Sequence, residues 1–462
     1  MFAALNSFLT RLGRITDPYW ANVSMLLHGD GTNAAQNNTF LDGSTNNFTV
    51  TRNGNTTQGS FNPFVSTYPY SVATNGGSGY FDGTGDYLTV PSNVALAMGT
   101  GDFTIECWVN TPLVNANNDV LIELRSTGAT STGFVVNMNP TGVGYQLNFY
   151  TDGSFNLGST VLNYNVWNHV AVTRSGTTVR LFSNGVVSAT FTKANNFSDT
   201  PVPQIGSSPL YSPSSVIGYI SNLRVVKGTA LYTTTFTPPT APLTAVTNTA
   251  LLLGMSNGAI FDNTMLNNLE TVGDAQISTS VFKYGTGALR FGGTVTDYLA
   301  TRKTSALTLG SSDFTIECWV NFASATANGY FAGDYDGTFN FNFYMWANAG
   351  VMTSTFRSGG NINCTSSAGA IAINTWYHIA FVRDGNTNRQ YINGVQNGTV
   401  SVTGLTADTN ANPMVIGNVG SAPITPYFNG YIDDFRFTKG ICRYPSGTTF
   451  TPPTAAFPNS GP

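Results

Sequence analysis

Apolar and polar residues alternate one for one along residues 102–110. Phe103, Ile105, Cys107 and Val109 fall on one side, and Thr104, Glu106 and Trp108 on the other. A period of two is the mark of a β-strand, and bulk on both sides suits a central strand of a two-sheet sandwich. Residues 179–188 read as a hairpin with Asn184-Gly185 at its two-residue turn, because these residues accept the positive φ of a type I′ turn. Residues 390–396 repeat that hairpin around Asn393-Gly394. Short runs of this kind, broken by Gly, Pro and Asn clusters, fill most of the chain, with no convincing long helical period. The pattern predicts an all-β protein built from antiparallel β-sandwiches of jelly-roll type.

The start of the chain is patterned differently. Phe2, Leu5, Leu9 and Leu12 share one helical face, with Phe8 and Ile15 beside it. Arg11 and Arg14 take the polar side, and Asp17-Pro18 ends the pattern. An isolated helix shorter than about 12–15 residues is marginal in water, so this segment needs a surface to fold against. We read it as a short N-terminal helical arm whose partner-docking residues are Phe2, Leu5, Phe8, Leu9, Leu12, Arg11 and Arg14. Its arginines follow the apolar stretch and no small-residue cleavage site comes after, which is not the order of a secretory signal.

The nonapeptide at 102–110 recurs unchanged at 313–321. Residues 165–174 (NVWNHVAVTR) answer 374–383 (NTWYHIAFVR), and 218–224 (GYISNLR) answer 430–436 (GYIDDFR). Each copy closes on Phe-Thr-Pro-Pro-Thr, at 236–240 and 450–454. A repeat of about 210 residues is a whole domain, far longer than the roughly 20–50 residues of a solenoid unit. The expected organisation is an arm at 1–22, a first sandwich at 23–240, a linker at 241–249 and a second sandwich at 250–462.

Composition narrows the partners. Charged residues are 9% of the 462, against about 25% in ordinary soluble proteins, so the surface relies on Asn, Thr, Ser and Gly. Such a surface suits neutral partners such as sugars, or permanent assembly with other subunits. Net charge is −4 and the basic residues are scattered, which excludes a nucleic-acid footprint. No apolar run approaches a membrane span. Four cysteines without a framework argue for reduced thiols, with a Cys364–Cys442 bridge left open.

The ordered set residues 80–88 (YFDGTGDYL), 103–109 (FTIECWV), 167–171 (WNHVA), Asn184-Gly185 and 218–220 (GYI), present again in the second copy, resembles the laminin-G-like, concanavalin A-like lectin/glucanase domains. The closing stretches 224–232 and 436–444 resemble versions found in bacteriophage virion proteins. The resemblance implies two tandem concanavalin A-like sandwiches. Hydrolases of this family carry a Glu-x-Asp-x-x-Glu pattern or a close variant, whereas Glu106 and Glu317 stand without a second acid. We therefore expect no catalytic residues and no enzyme, with Glu106 and Glu317 in structural ion pairs to Arg224 and Arg436. His169 and His378 read as structural imidazoles, and Trp108 and Trp319 as core. No cofactor follows from the residues. The resemblance keeps calcium open at Asp82, Asp86 and Asp152, of which only Asp86 has a clear counterpart, Asp297.

Candidate glycan-binding residues are aromatics with polar neighbours near Gly-rich turns: Tyr150, Asp152 and Phe155 in the first copy, and Tyr335, Asp336, Tyr344 and Trp346 in the second. The expected role is a non-enzymatic bacteriophage virion protein, a tail or head fibre or decoration. The arm would anchor it to other virion proteins of capsid or tail, and it would form a homo-oligomer and contact host-surface polysaccharide. A cellular carbohydrate-binding adhesin is the alternative.

Overall fold

The computed structural model describes residues 16–64, 69–112, 117–126, 132–208, 214–323, 329–335, 341–419, 427–445, 447 and 449–461. The docking residues Phe2, Leu5, Phe8, Leu9, Arg11, Leu12 and Arg14 lie outside them, as does Asp336.

The alternation read in the nonapeptide is realised in the strand Phe103–Asn110. Phe103, Ile105, Cys107 and Val109 enter the core, where Phe103 stacks on Phe134 of the facing sheet at 5.3 Å between ring centroids. Strand Phe314–Phe322 does the same in the second copy, with Phe314 over Phe356 at 6.4 Å. All-β architecture with four antiparallel sheets, two to each sandwich, follows.

In the first sandwich one sheet runs Val186–Thr192, Thr178–Ser183, Asn168–Ser175, Phe103–Asn110, Ile217–Lys227, Ser78–Asp82, Thr57–Gly59. The facing sheet runs Ser154–Leu162, Tyr145–Thr151, Phe134–Pro140, Asp119–Leu124, Gln204–Ile205, Tyr87–Thr89, Thr51–Asn53. The second sandwich repeats the plan. One sheet runs from Gln276–Ser278 through Ala288–Gly292, Asn429–Lys439, Phe314–Phe322, Trp376–Asp384 and Thr387–Ile392 to Val395–Ser401. The other contains, in order, Tyr298–Thr301, Met414–Ile416, Tyr330–Gly333, Phe343–Asn348, Val351–Arg357 and Asn361–Thr365.

The Asn-Gly turns form as read, with φ of +51° and +79° at Asn184 and Gly185 and +49° and +76° at Asn393 and Gly394. They have a second use. The amides of Phe236 and Phe450 donate to the carbonyls of Gly185 and Gly394, at 2.9 and 2.8 Å. A Cβ on either glycine would meet that phenylalanine's carbonyl oxygen, at 2.0 and 1.9 Å. The turn and the Phe-Thr-Pro-Pro tail are therefore one device.

The repeat boundaries and the sheets do not coincide. The chain forms two compact units, one mainly of residues 36–271 and the other of 16–35 with 272–461. Strand Val23–Leu27, which opens the first repeat, pairs with Asn429–Lys439 of the second sandwich. Strand Thr249–Leu253, which opens the second repeat, pairs with Ile217–Lys227 of the first. The cause is the length of the closing strands. Residues 217–220 pair with Ser78–Asp82 and residues 223–226 are left for another partner. The two halves meet at Asn222, at φ +53°, a conformation that Asn tolerates. Asp434 at +50° plays the same part in the second sandwich.

Cys107, Cys318 and Cys364 are buried and Cys442 half-buried, all as free thiols, so the Cys364–Cys442 bridge is not formed. Among the described residues no helix is long and apolar enough to cross a membrane.

Candidate functional site

Each sandwich has two outer faces, and its own closing tail covers one of them. Glu106 leaves the core side of its strand and meets Arg224, whose Nε and Nη2 donate to Oε1 at 2.9 and 2.5 Å. Its Oε2 takes the Tyr232 hydroxyl at 2.9 Å and lies 3.2 Å from His169 Nε2. Tyr232 stacks on Phe236 at 3.6 Å. Glu317 repeats the set with Arg436, Tyr444 and His378. The ion pairs expected from the sequence are present, and the closing motifs deliver the tyrosines that complete them. His169 and His378 are satisfied at Nε2 only, because their buried Nδ1 atoms find no partner among the described residues. Trp108 and Trp319 lie on this covered face rather than in the central core. Trp108 packs edge-on against His169 and Phe64, and Lys283 sits over the Trp319 ring at 4.1 Å.

The facing sheet presents its outer side differently. In the second sandwich Phe343, Met345, Met352 and Phe356 point inward and are fully buried, which turns Tyr344, Trp346, Thr353 and Thr355 outward. Tyr330 and Trp346 are directly opposed across neighbouring strands and stack at 5.3 Å with planes 17° apart. Tyr344 meets Tyr330 edge-on, and Tyr335 and Phe341 complete the cluster. Beside this plate the pairs Trp346–Thr353–Thr365 and Tyr344–Thr355–Asn363 continue across the sheet. Thr355 donates to Asn363 at 2.8 Å, and Asn363 and Thr365 are exposed. The Trp346 indole N–H has no partner among the described residues.

Three of the sequence-selected residues, Tyr335, Tyr344 and Trp346, are thus brought together, and Tyr330 is the one that sequence reading missed. It lies in Tyr-Phe-Ala-Gly, where apolar residues point both ways and a bulge shifts the register. Its only signal was its aromatic ring.

The equivalent face of the first sandwich holds a small cleft of about 60 Å³ lined by Asn118, Val120, Val135, Asn137, Tyr150 and Phe155. Tyr150 opposes Val135 on one side and Phe155 on the other, and its ring meets Phe155 edge-on at 4.9 Å. Phe155 is 53% exposed. Arg125 sits over Tyr150 at 5.1 Å while its Nε and Nη2 grip Glu123 at 2.6 and 2.7 Å. Asp152 is not part of this cleft. It occupies the turn after Tyr145–Thr151 and accepts from Asn195 Nδ2. Glu123 and Glu106 each alternate with core residues of different sheets, so their carboxylates leave the sandwich on opposite sides.

Asp86 and its counterpart Asp297 are loop clamps. Asp86 accepts from the amides of Asn55 and Asp82 at 2.7 and 2.9 Å, and Asp297 from those of Asp274 and Gly292 at 2.9 and 3.1 Å. Burial, with Asp82 nearby, pushes the Asp86 carboxyl up to about 6. Asp82 caps Thr84 at 2.6 Å, and Asp152 is engaged elsewhere. Among the described residues no group of three or more His, Cys, Asp or Glu is placed to hold a metal ion.

Where the first repeat has Ser221, the second has Asp433, which accepts the amides of Lys283 and Tyr284 at 2.7 and 3.0 Å. Burial, and then the negative charges of Asp434 and Asp30, push its carboxyl up from 3.8 to about 7. A raised carboxyl binds its proton more tightly when folded, so stability declines as pH rises from about 4 to about 7. Asp433→Asn keeps an acceptor for both amides and removes that decline. Urea melts should show the variant more stable than the parent at pH 8 and equal to it near pH 4; a variant weaker at pH 8 contradicts the assignment.

A family model described as the concanavalin A-like lectin/glucanases superfamily matches residues 82–232 and 291–441. Among solved structures, the binding domain of Paraclostridial mosquitocidal protein 1 is similar at 17% identity, with a TM-score of 0.34 over 40% of this chain and 47% of that one. The chain therefore spans about half the length of that binding domain. Domains LG4-5 of the mouse laminin α1 chain match at 14% identity and a TM-score of 0.27, over 80% of this chain and 93% of that one. A putative carbohydrate-binding protein from Bacteroides ovatus matches at 19% identity and a TM-score of 0.30, over 39% and 54%. No curated protein matches.

Proposed function

The chain belongs to the concanavalin A-like lectin/glucanases superfamily, as two laminin-G-like domains in tandem, and on that footing we propose that it is a non-enzymatic protein whose outer sheet faces bind neutral glycan. The observation carrying this reading is the Tyr330–Trp346 plate with its neighbouring Thr and Asn rows. A pyranose offers an apolar C–H face and a rim of hydroxyls. The plate suits the first and the rows suit the second, as expected of sites where aromatic surface is joined to a few placed polar groups. The Tyr150–Phe155 cleft with Asn118 and Asn137 occupies the corresponding face of the first domain. A chain with 9% charged residues matches an uncharged ligand better than a charged one.

The absence of catalysis is part of the proposal. Retaining hydrolysis needs two carboxyl groups about 5–5.5 Å apart at the sugar. Both oxygens of Glu106 and of Glu317 are committed to buried partners, and Glu123 is gripped by Arg125. An array of neutral polysaccharides should show binding by the purified chain and no release of reducing ends, with Glu106→Gln indistinguishable from the parent in both readouts. Release of reducing ends that Glu106→Gln abolishes contradicts the reading.

For the setting, we retain a virion fibre or decoration contacting host polysaccharide, anchored to capsid or tail proteins by the arm. A cellular adhesin would use the same faces. Antibody labelling decides: decoration of intact particles supports the first, and decoration of the producing cell's surface supports the second.

A further inference from the structure

We propose that the cleft beside Tyr150 and Phe155 takes the acetamido group of an N-acetylated amino sugar, so that the first domain reads a substituent where the second reads a ring face. The inference rests on the glycan reading of these faces and names what one of them selects.

Matching ladder positions carry the argument. Strands Phe134–Pro140 and Asp119–Leu124 stand third and fourth from one edge of their sheet, and Phe343–Asn348 and Tyr330–Gly333 hold the same places in the second sandwich. Val120 opposes Asn137 in the first, Tyr330 opposes Trp346 in the second, and the same bulge follows each pair. Val120 and Asn137 thus stand where the second domain has its stacked plate. An isopropyl group and a carboxamide replace two large rings, and the cleft of about 60 Å³ is the space they leave. One water needs about 10–15 Å³ of such space, so the cleft holds about four non-hydrogen atoms. An acetamido group has that many, whereas pockets for a whole ligand run to about 300–1,000 Å³.

The lining has the matching chemistry. The backbone amide of Asn156 donates to Asn148 Oδ1 at 2.8 Å, which fixes the orientation of the Asn148 carboxamide. Asn148 Nδ2 then donates to Asn137 Oδ1 at 2.7 Å, so Asn137 keeps its Nδ2 as a donor. That donor has no partner among the described residues, although Asn137 is only 5% exposed and lines the cleft. An acetyl carbonyl oxygen satisfies it. Val120, Val135, Tyr150 and Phe155 supply an apolar wall for the methyl, and Asn118 and Ser214 bring side-chain oxygens for the N–H. A free amine, charged at neutral pH, meets no carboxylate in this lining, and the neighbouring Glu123 is gripped by Arg125. A plain hydroxyl leaves the apolar wall empty.

Saturation-transfer NMR on the full chain tests this with N-acetylglucosamine and N-acetylgalactosamine beside glucose and galactose. An acetylated sugar should bind about tenfold or more tighter than its plain parent, from one buried methyl and one hydrogen bond. Its acetyl methyl should be the most strongly saturated group. Asn137→Ala should weaken acetylated sugars by about 2- to 12-fold, the usual worth of one hydrogen bond, and leave plain sugars unchanged. Val120→Tyr places the second domain's residue in the cleft and should abolish the preference, whereas Trp346→Ala should leave it intact. Should a buried variant fail to fold, Phe155→Ala decides, because Phe155 is 53% exposed and its loss should also lower the methyl signal. Equal binding of acetylated and plain sugars, or a preference that survives in folded Val120→Tyr or Phe155→Ala, overturns this inference and leaves the glycan reading standing. Binding of none of the four sugars or of any neutral polysaccharide sinks both.

Discussion

Replacing Glu317 with alanine destabilises the second sandwich by about 3–5 kcal/mol, the usual cost of stripping one partner from a buried ion pair. The size follows from what is left behind. Arg436 loses both hydrogen bonds to Oε1, at 3.0 and 2.7 Å, and the Tyr444 hydroxyl and His378 Nε2 lose Oε2, at 2.6 and 3.2 Å. The Arg436 side chain is 6% exposed and that of Glu317 fully buried, so water does not replace the lost partners. Burial by itself would raise the Glu317 carboxyl. Arg436, His378 and Arg443 outweigh it and hold the group well below its ordinary 4.5. A depressed carboxyl contributes stability that is fully present above the ordinary carboxylate range and is lost progressively as pH falls from there toward the lower folded value. The difference between parent and variant should therefore be full at neutral pH and begin to shrink below about pH 5. Calorimetry should show a transition lowered by roughly 6–20 °C, from about 2–4 °C per kcal/mol for a domain of this size. A shift under 1 kcal/mol at neutral pH would mean that the cluster is ornamental.

Much of this network is legible in the sequence. Alternation in the nonapeptide groups Glu106 with Trp108 and Glu317 with Trp319 on one side of the strand without saying that this side faces away from the core, and the repeated arginine in the closing strands supplies the partner. The Asn-Gly turns were legible because few residue pairs accept two successive positive φ values. The strand exchange was not. Val23–Leu27 and Thr249–Leu253 carry equivalent apolar runs, and a run of that kind specifies burial without specifying which edge provides it. Pairing across about 400 residues leaves no local trace.

The candidate site was half legible for a related reason. Tyr344 and Trp346 read from sequence as aromatics near Gly-rich turns but are strand residues, since their outward orientation is set by Phe343 and Met345 filling the core between them. Tyr150 and Phe155 were chosen together and do meet. Asp152 was drawn in by proximity in sequence, but its φ of +54° places it in the turn, within reach of Asn195. Asp82 and Asp86 looked like oxygen ligands because clamps on backbone amides and cation sites use the same carboxylates. Only the hydrogen-bond partners separate the two.

Trp346→Ala should weaken glycan binding by about 2 kcal/mol or more, the threshold for a residue that dominates an interface, which is roughly 30-fold in Kd. Truncation removes one layer of the Tyr330–Trp346 stack, so it deletes the apolar contact on which a sugar face would rest. Folding should survive, because Trp346 is only half-buried and lies outside the inward row of Phe343, Met345 and Ala347. Asn363→Ala tests the polar half of the site. Asn363 is exposed beside the plate, and its loss should cost less than the tryptophan, near the 0.5–1.5 kcal/mol typical of one hydrogen bond. Tyr150→Ala in the first domain separates affinity from valency. If both faces engage one polymer, its loss should weaken binding to long chains far more than binding to short oligosaccharides, since linked sites multiply through effective concentration. Titration calorimetry with oligosaccharides, beside surface capture of the polymer, reads both effects. Full binding by a folded Trp346→Ala chain would remove the plate from the site and return this face to the role of a subunit contact.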